Sequence, residues 1–503
     1  MKQSDTSLIR PCAGGRPALD TGGAMRLARS VSLLLVGVAC SGAPVSPPGE
    51  ALLRGIPVDA PGAVTAPPGS SPVPPPADVP DLVFISLDTT RADALGVYGE
   101  ALPVTPRQDA LARRGVRFAW AIAQSPTTLA SHATVFTGLD PHGTRIVRNG
   151  FALDSAVETV AERLAARGYD TLGVIGASAL ARPMNIDQGF RIWDEELGVE
   201  VTHRHEAPAN AVTDRALALL ARRTPGKPLF LFVHYYDAHA PYGAPEPFLH
   251  RFVADGRKPR YSGREGELNK LGDANRAGHA DPADLAEVRA NYLGEVAFVD
   301  QEVGRLVDHL DPGRTVIVVF GDHGEALGDS PERRFGHGPE LDLVATHVPL
   351  YLVGRGVPAG VVVDAPIALQ DLPATALSVI GVTEPFGESL DRSAWWATVP
   401  SPAGPIRFLE ATQPDVGGGG GAWNNLRNER GALQGTALLL TNPLRQSLAL
   451  YAVAPGQPRM DDPLVAARLT GALRDWDVAA PAWRDEHMST ETREGLKALG
   501  YLE

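Results

Sequence analysis

The sequence predicts an α/β domain built on a large, mostly parallel sheet flanked by helices, followed by a smaller C-terminal α+β subdomain. Short apolar runs bounded by turn residues recur from Leu82 to Val353, and stretches with apolar residues at helical spacing lie between them. Such strand–helix alternation is the pattern of parallel strands joined by crossover helices. After about residue 400 the alternation fades into short strand-like runs and one helix-like stretch.

The chain opens with a segment suited to export rather than to a fold. Met25, Arg26 and Arg29 give a basic start, Val31 to Val38 an apolar run, and Ala39 and Cys40 follow. That order is what a secretory signal requires. The run is too short to cross about 30 Å of hydrocarbon. It is similar to a bacterial lipoprotein signal, in which Cys40 becomes the lipidated first residue, although Gly37 stands where Leu is usual. Met25 is an alternative start to Met1. Residues 1–40 are therefore assigned to export, with a periplasmic or cell-surface location and a lipid tether expected. Residues 41–80 are dense in Pro, Gly, Ala and Ser, with Pro74, Pro75 and Pro76 in a row, and form an extended linker.

From Asp81 the strand-like runs are Leu82–Leu87, Thr171–Ile175, Leu229–Val233, Thr315–Phe320 and Val348–Val353. Helices are predicted over Val157–Arg167, stopped by Gly168, and over Asn210–Arg223 and Leu285–Leu310. These place a catalytic domain at 81–400 and a C-terminal subdomain at 401–503. In the latter, Ala432–Ala452 reads as short strands and Asp462–Trp476 as a helix. Gly417 to Gly421 lacks a strand-to-helix context and is a loop rather than a phosphate cradle.

With 503 residues, 44% of them hydrophobic, the chain can bury a sizeable core. Its net charge of −13, from 46 basic and 59 acidic residues, and its lack of a basic block argue against nucleic acid as a partner. The only cysteines, Cys12 and Cys40, precede the folded region. A disulfide framework there and a cysteine-based zinc site are excluded.

The chemistry lies where apolar strands end. Asp88 follows Leu82–Leu87, and Asp322 and His323 follow Thr315–Phe320. In open α/β sheets ligands bind beyond the carboxyl ends of strands. Two carboxylates and an imidazole converging there would suit a divalent cation, although Asp88 alone could equally be a helix cap. A second stretch runs from Ser125 to Gly138, with a helix expected from Ser131 and Thr128 just before its N-terminus. Helix N-termini favour anions. A hydroxyl there, beside a metal, can attack a phosphorus or sulfur centre. N-capping by Thr127, Thr128 or Ser131 is the plainer alternative.

Taken in order, these stretches resemble the sulfatase family of the alkaline phosphatase superfamily. Leu87-Asp88-Thr89-Thr90-Arg91 through Gly99 is similar to that family's first motif. Thr128-Leu129-Ala130-Ser131-His132, with Thr137-Gly138, falls where the family carries Cys-x-Pro/Ala-Ser-Arg and Thr-Gly. His234-Tyr235-Tyr236-Asp237-Ala238-His239-Ala240-Pro241 is similar to its His-x-Pro segment. Gly321-Asp322-His323-Gly324-Glu325 and Phe335-Gly336-His337-Gly338 resemble its second metal motif and distal His. Leu450–Gly456 and Leu496–Leu502 resemble C-terminal stretches of bacterial members.

The resemblance covers residues 81–503 and implies an alkaline-phosphatase/sulfatase-like sandwich. It implies that Asp88, Asp322, His323 and Thr128 bind metal, with Thr128 the nucleophile. His239 and His337 would contact the substrate's anionic oxygens, one of them protonating the leaving group. Arg148 is a candidate anion clamp, His132 a further substrate contact, and Glu325 an outer residue orienting a ligand.

Three departures shift the expected chemistry. Thr128 replaces the Cys or Ser that sulfatases convert to formylglycine, so no formylglycine is expected. His132 replaces the motif's Arg. Thr89 replaces the second aspartate beside Asp88, and the family's lysines have no clear match. A single divalent ion follows, with manganese or zinc favoured over calcium or magnesium for a site containing an imidazole. The expectation is an exported hydrolase or transferase acting on phosphate mono- or diesters of a small molecule, glycan or lipid. The alternatives are a sulfatase working without formylglycine and a non-catalytic surface lipoprotein. The oligomeric state is not legible.

Overall fold

The structure is a computed structural model that describes residues 79–197, 206–333, 335–398, 404–411, 429–442 and 446–481. The export segment with Cys40, nearly all of the 41–80 linker, the glycine run at 417–421 and the C-terminal motif at 496–502 lie outside the described residues.

Fifteen strands are described. In chain order β1 is Asp81–Leu87, β2 Val116–Phe118, β3 Ala121–Ile122, β4 Asp170–Val174, β5 Ile192–Asp194, β6 Leu229–Tyr235 and β7 Thr315–Gly321. β8 is His347–Val348, β9 Leu350–Gly354, β10 Val361–Val363, β11 Ile367–Ala368, β12 Arg407–Ala411, β13 Glu429–Gln434, β14 Ala437–Asn442 and β15 Ser447–Ala452. Eight of them form the main sheet in the order β10-β2-β9-β7-β1-β6-β4-β5. Every pairing in it is parallel except those that β9 makes with β7 and β2. The predicted large, mostly parallel sheet is thus observed.

Strand β1 is buried throughout, and its alternate residues serve opposite cores. Leu82 and Phe84 face one apolar cluster, Val83, Ile85 and Leu87 the other. Burial on both faces explains why these strands are continuous apolar runs rather than alternating ones. The helix Thr128–Thr137 covers the first face through Leu129, Ala130, Ala133 and Phe136. The helix Pro282–Val307 covers the second through Val288, Tyr292, Val296 and Val303. Beyond the main sheet, the antiparallel sheet β12-β13-β14-β15 and the helix Pro463–Ala479 form the C-terminal subdomain, close to expectation.

Several boundaries differ from the sequence reading. The helix expected from Ser131 starts at Thr128, because Thr127 is the extended cap residue and its carbonyl accepts the Ser131 N–H. The helix expected from Val157 runs over Val160–Ala165. Thr159 and Glu162 form a reciprocal capping box that fixes its start. The run Val348–Val353 is two strands, divided at Pro349, which has no N–H to give a ladder.

Candidate active site

Strand β1 lies between β6 and β7 with Leu87 opposite Tyr235 and Gly321. This register brings the residues that follow β1 and β7 to one edge. Asp88 continues the ladder by donating its N–H to Tyr235 O (2.9 Å), and Asp322 donates to Leu87 O (3.3 Å). Asp88, Thr128, Asp322 and His323 are all fully buried.

Hydrogen bonds aim the polar atoms of these residues at one another. Asp322 Oδ1 accepts the N–H of His323 (2.7 Å) and of Thr89 (3.1 Å). Thr89 takes a left-handed φ of 48° to make this bond. Its carbonyl accepts the Tyr292 hydroxyl (3.0 Å), which in turn accepts the Arg91 N–H (2.9 Å). Asp322 Oδ2 is left without a partner, as is Asp88 Oδ1. His323 donates from Nδ1 to Gly324 O (3.0 Å), so its Nε2 lone pair faces the carboxylates. That Nε2 lies 3.5 Å from Asp322 Oδ2 and 4.0 Å from Asp88 Oδ1. Thr128 Oγ1 donates to Asp88 Oδ2 (3.1 Å) and lies 3.5 Å from His323 Nε2.

This arrangement fits a divalent cation. A tetrahedral ion about 2.1 Å from each ligand holds the ligand atoms about 3.4 Å apart. Two orphaned carboxylate oxygens in a dry site are costly without a counter-charge. Accordingly, burial pushes the Asp88 carboxyl up to about 7, against the pull of His337 and of the Thr128 hydrogen bond. Burial and then the Asp88 charge hold Asp322 well above the usual carboxylate range. Burial, with the neighbouring histidines, holds His323 well below its usual value and keeps it a neutral ligand.

Two further histidines face each other at this edge. His337 Nε2 and His239 Nε2 are 3.1 Å apart. Both Nδ1 atoms face carbonyls, of Pro126 (3.0 Å) and Ala240 (2.6 Å), and so carry protons. The Nε2–Nε2 hydrogen bond therefore needs one proton held between the rings. Burial lowers the His337 pKa, so that proton is readily given up. The His337 ring lies over His323, with centroids 4.3 Å apart.

Arg148 is nearly buried, its guanidinium 5.6 Å from the Phe151 ring centroid. Asn149 accepts the Leu129 N–H (2.8 Å), which binds this segment to the start of the Thr128 helix. Glu325 is buried, and desolvation followed by the Asp88 charge raises it to about 8. His323 is oriented by the Gly324 carbonyl, which accepts from its Nδ1.

His132 has no exposed surface. It lies behind Thr128, engaged with Ser86 and the Thr128 carbonyl, rather than on a surface that a substrate would reach.

The sequence reading missed His234. It stands opposite Ser86 in the β1–β6 register, and its Nε2 is 3.1 Å from Asp88 Oδ2. A histidine inside a buried apolar strand is the signal that marks it. Arg91 was also passed over. It pairs with Asp93 and Asp329, both at 2.7 Å, behind the Thr89 turn.

The sulfatase family model matches residues 80–382, and the chain belongs to that family. It is 24% identical over 370 residues to an arylsulfatase of Clostridium perfringens, covering 61% of this chain and 76% of that protein. A solved structure holding D-glucosamine-2-N,6-O-disulfate superposes with a TM-score of 0.61 at 16% identity, over 84% of this chain and 98% of the other. The phosphonate monoester hydrolase of Agrobacterium radiobacter superposes with a TM-score of 0.60 at 22% identity, over 79% and 94%. The chain is an ester hydrolase of this metal-dependent family.

Proposed function

We propose that this chain is an exported phosphoester hydrolase that forms a covalent phospho-Thr128 intermediate. The observation that carries this reading is the placement of Thr128 Oγ1, at a helix N-terminus, 3.1 Å from Asp88 Oδ2 and 3.5 Å from His323 Nε2. Threonine supplies a hydroxyl and no aldehyde. A sulfated threonine would lack the hemiacetal route by which formylglycine sheds sulfate, whereas a phosphothreonine is opened by water at phosphorus.

Asp88, Asp322, His323 and Thr128 would hold one divalent ion, manganese or zinc by donor chemistry. That ion would supply charge stabilisation and lower the pKa of the hydroxyl beside it. The protein's own part is positional. Asp88 Oδ2 takes the hydroxyl hydrogen and leaves the Thr128 lone pairs directed at an incoming phosphorus. The positive N-terminal end of the Thr128 helix favours the anionic oxygens electrostatically, and Arg148 is the candidate clamp on them. As the oxygen–phosphorus bond to Thr128 forms and the bond to the alcohol breaks, the His239–His337 pair gives its shared proton to the departing oxygen. Water then attacks phosphorus and gives a proton back to the His239–His337 pair; the Thr128 oxygen–phosphorus bond breaks, Thr128 recovers its hydrogen from Asp88, and the phosphoryl group leaves with the water oxygen.

Thr128→Ala is expected to abolish turnover with an unchanged fold by circular dichroism; retained activity would sink the reading. A panel of aryl phosphates, phosphodiesters, phosphonate monoesters and sulfates, with metal analysis of the purified chain, reads the leaving group and the ion. Membership of the sulfatase family favours a second reading, sulfate ester hydrolysis without formylglycine, which aryl sulfate turnover well above that of the phosphorus esters would establish. The substrate's alcohol is proposed to be a small molecule, glycan or lipid. Lipidation at Cys40 would hold the enzyme at a membrane surface, and Cys40→Ser is expected to move it from the membrane to the soluble fraction.

A further inference from the structure

We propose that His132 is a positioning residue for Thr128, one imidazole tying the backbone carbonyl of the nucleophile to the strand that carries Asp88. The inference rests on the reading of Thr128 as nucleophile. His132 Nδ1 lies 2.7 Å from Thr128 O, and its Nε2 lies 2.7 Å from Ser86 Oγ. A carbonyl can only accept, so Nδ1 carries the proton. Nε2 is then a lone pair, and the Ser86 hydroxyl donates to it. One neutral tautomer satisfies both nitrogens.

The surroundings keep the ring neutral and fixed. Phe232, Phe320 and Phe136 stand around it at centroid distances of 5.7, 6.1 and 6.3 Å. Ser86 lies two residues before Asp88 on the face of β1 that meets the Thr128 helix. The links from Thr128 O through His132 and Ser86 to Asp88 close on the direct bond from Thr128 Oγ1 to Asp88 Oδ2, 3.1 Å long. This loop sets the distance between nucleophile and carboxylate from behind, where no substrate reaches.

His132 also stands 3.7 Å from Asp322 Oδ2. Together with His234 these residues offer donor atoms within 4.8 Å of one another, the spacing of a second cation site. The tautomer argues against that use. With Nδ1–H given to Thr128 O and Nε2 taken by Ser86, the ring has no lone pair to offer. His234 turns its Nε2 to Asp88 instead. The departure of His132 from its family motif is thus explained by support of the nucleophile rather than by contact with substrate or metal.

Ser86→Ala removes only the hydroxyl that holds Nε2. His132→Asn keeps an amide donor for Thr128 O but cannot reach Ser86. In the full chain, each is expected to lower kcat about 10- to 100-fold with KM changed less than about twofold, the signature of lost alignment. The double variant should be no slower than the slower single one. Nitrogen NMR should report the Nδ1–H tautomer for His132, and metal analysis one ion per chain in wild type and variants alike. Unchanged kcat in both variants, with Thr128→Ala inactive, would overturn the brace and leave the nucleophile standing. An active Thr128→Ala would remove the nucleophile reading itself. Two ions per wild-type chain falling to one in His132→Asn would make His132 a ligand and overturn the proposal.

Discussion

Thr128 is constrained on every side that the chain can reach. Its hydroxyl is held by Asp88 (3.1 Å), its carbonyl by His132 (2.7 Å), and the next residue's N–H by Asn149 (2.8 Å). Only the hydroxyl is needed for bond formation, so Thr128→Ser is expected to keep turnover within about tenfold of wild type in steady-state kinetics. The carboxylates make a second prediction. Asp88 rises from 3.8 to about 7 in the metal-free fold. Between those values the folded chain holds a proton that the unfolded chain has lost, so metal-free stability falls as pH rises through the window. A bound cation replaces that proton. Added manganese or zinc should therefore raise Tm more at pH 8 than at pH 5, and an equal gain at both would refute the coupling. At this scale the sequence was most informative for residues ending apolar strands: Asp88, Asp322 and His323 come together as their positions suggested. It was least informative for His132 and His234, whose partners lie across the sheet and depend on a register that no local pattern reveals.

Among the elements, the helix that starts at Thr128 has a defined end. Gly138 closes it in the left-handed region at φ 68°, and a Cβ there would meet Ser389 Cβ at 2.7 Å and Phe386 O at 2.9 Å. Gly138→Ala is expected to cost about 1–3 kcal/mol in urea unfolding, from backbone strain together with that crowding. The Gly138 stop was legible because helices so commonly end on glycine. The start was misplaced by one turn because Thr127, Thr128 and Ser131 are all good caps. Only tertiary bonds from Asn149 and Asp88 decide among them. The short strands β2, β3, β10 and β11 were not foreseen at all. At two or three residues each they carry no periodicity, and they form because neighbouring strands offer them partners.

At the level of the whole chain, the C-terminal subdomain is fastened to the segment that follows the Thr128 helix. Trp476 stacks on His142 with ring centroids 3.4 Å apart and donates to Asp140 Oδ2 (2.6 Å). His142 also lies 3.1 Å from Glu410 Oε2 on β12. Trp476→Ala is expected to lower stability by about 1–3 kcal/mol in thermal or urea melts, from the lost stacking and hydrogen bond. The antiparallel C-terminal subdomain was readable from the fading alternation. The contacts joining the parts were not, since they pair residues hundreds of positions apart.

The register of β1 against β7 also fixes an order of events. Thr89 and Asp322, joined by one hydrogen bond, are 233 residues apart in the chain. Until β7 has been made and has docked beside β1, Asp88 and Asp322 are strangers, and an emerging polypeptide has no place to chelate an ion. A slip of one residue between these strands would turn their side chains to opposite faces and leave the pair apart. Metal capture is therefore a late step, downstream of sheet closure. If the chain crosses a membrane unfolded, it should be loaded with whatever ion its destination offers rather than the one abundant where it was synthesised.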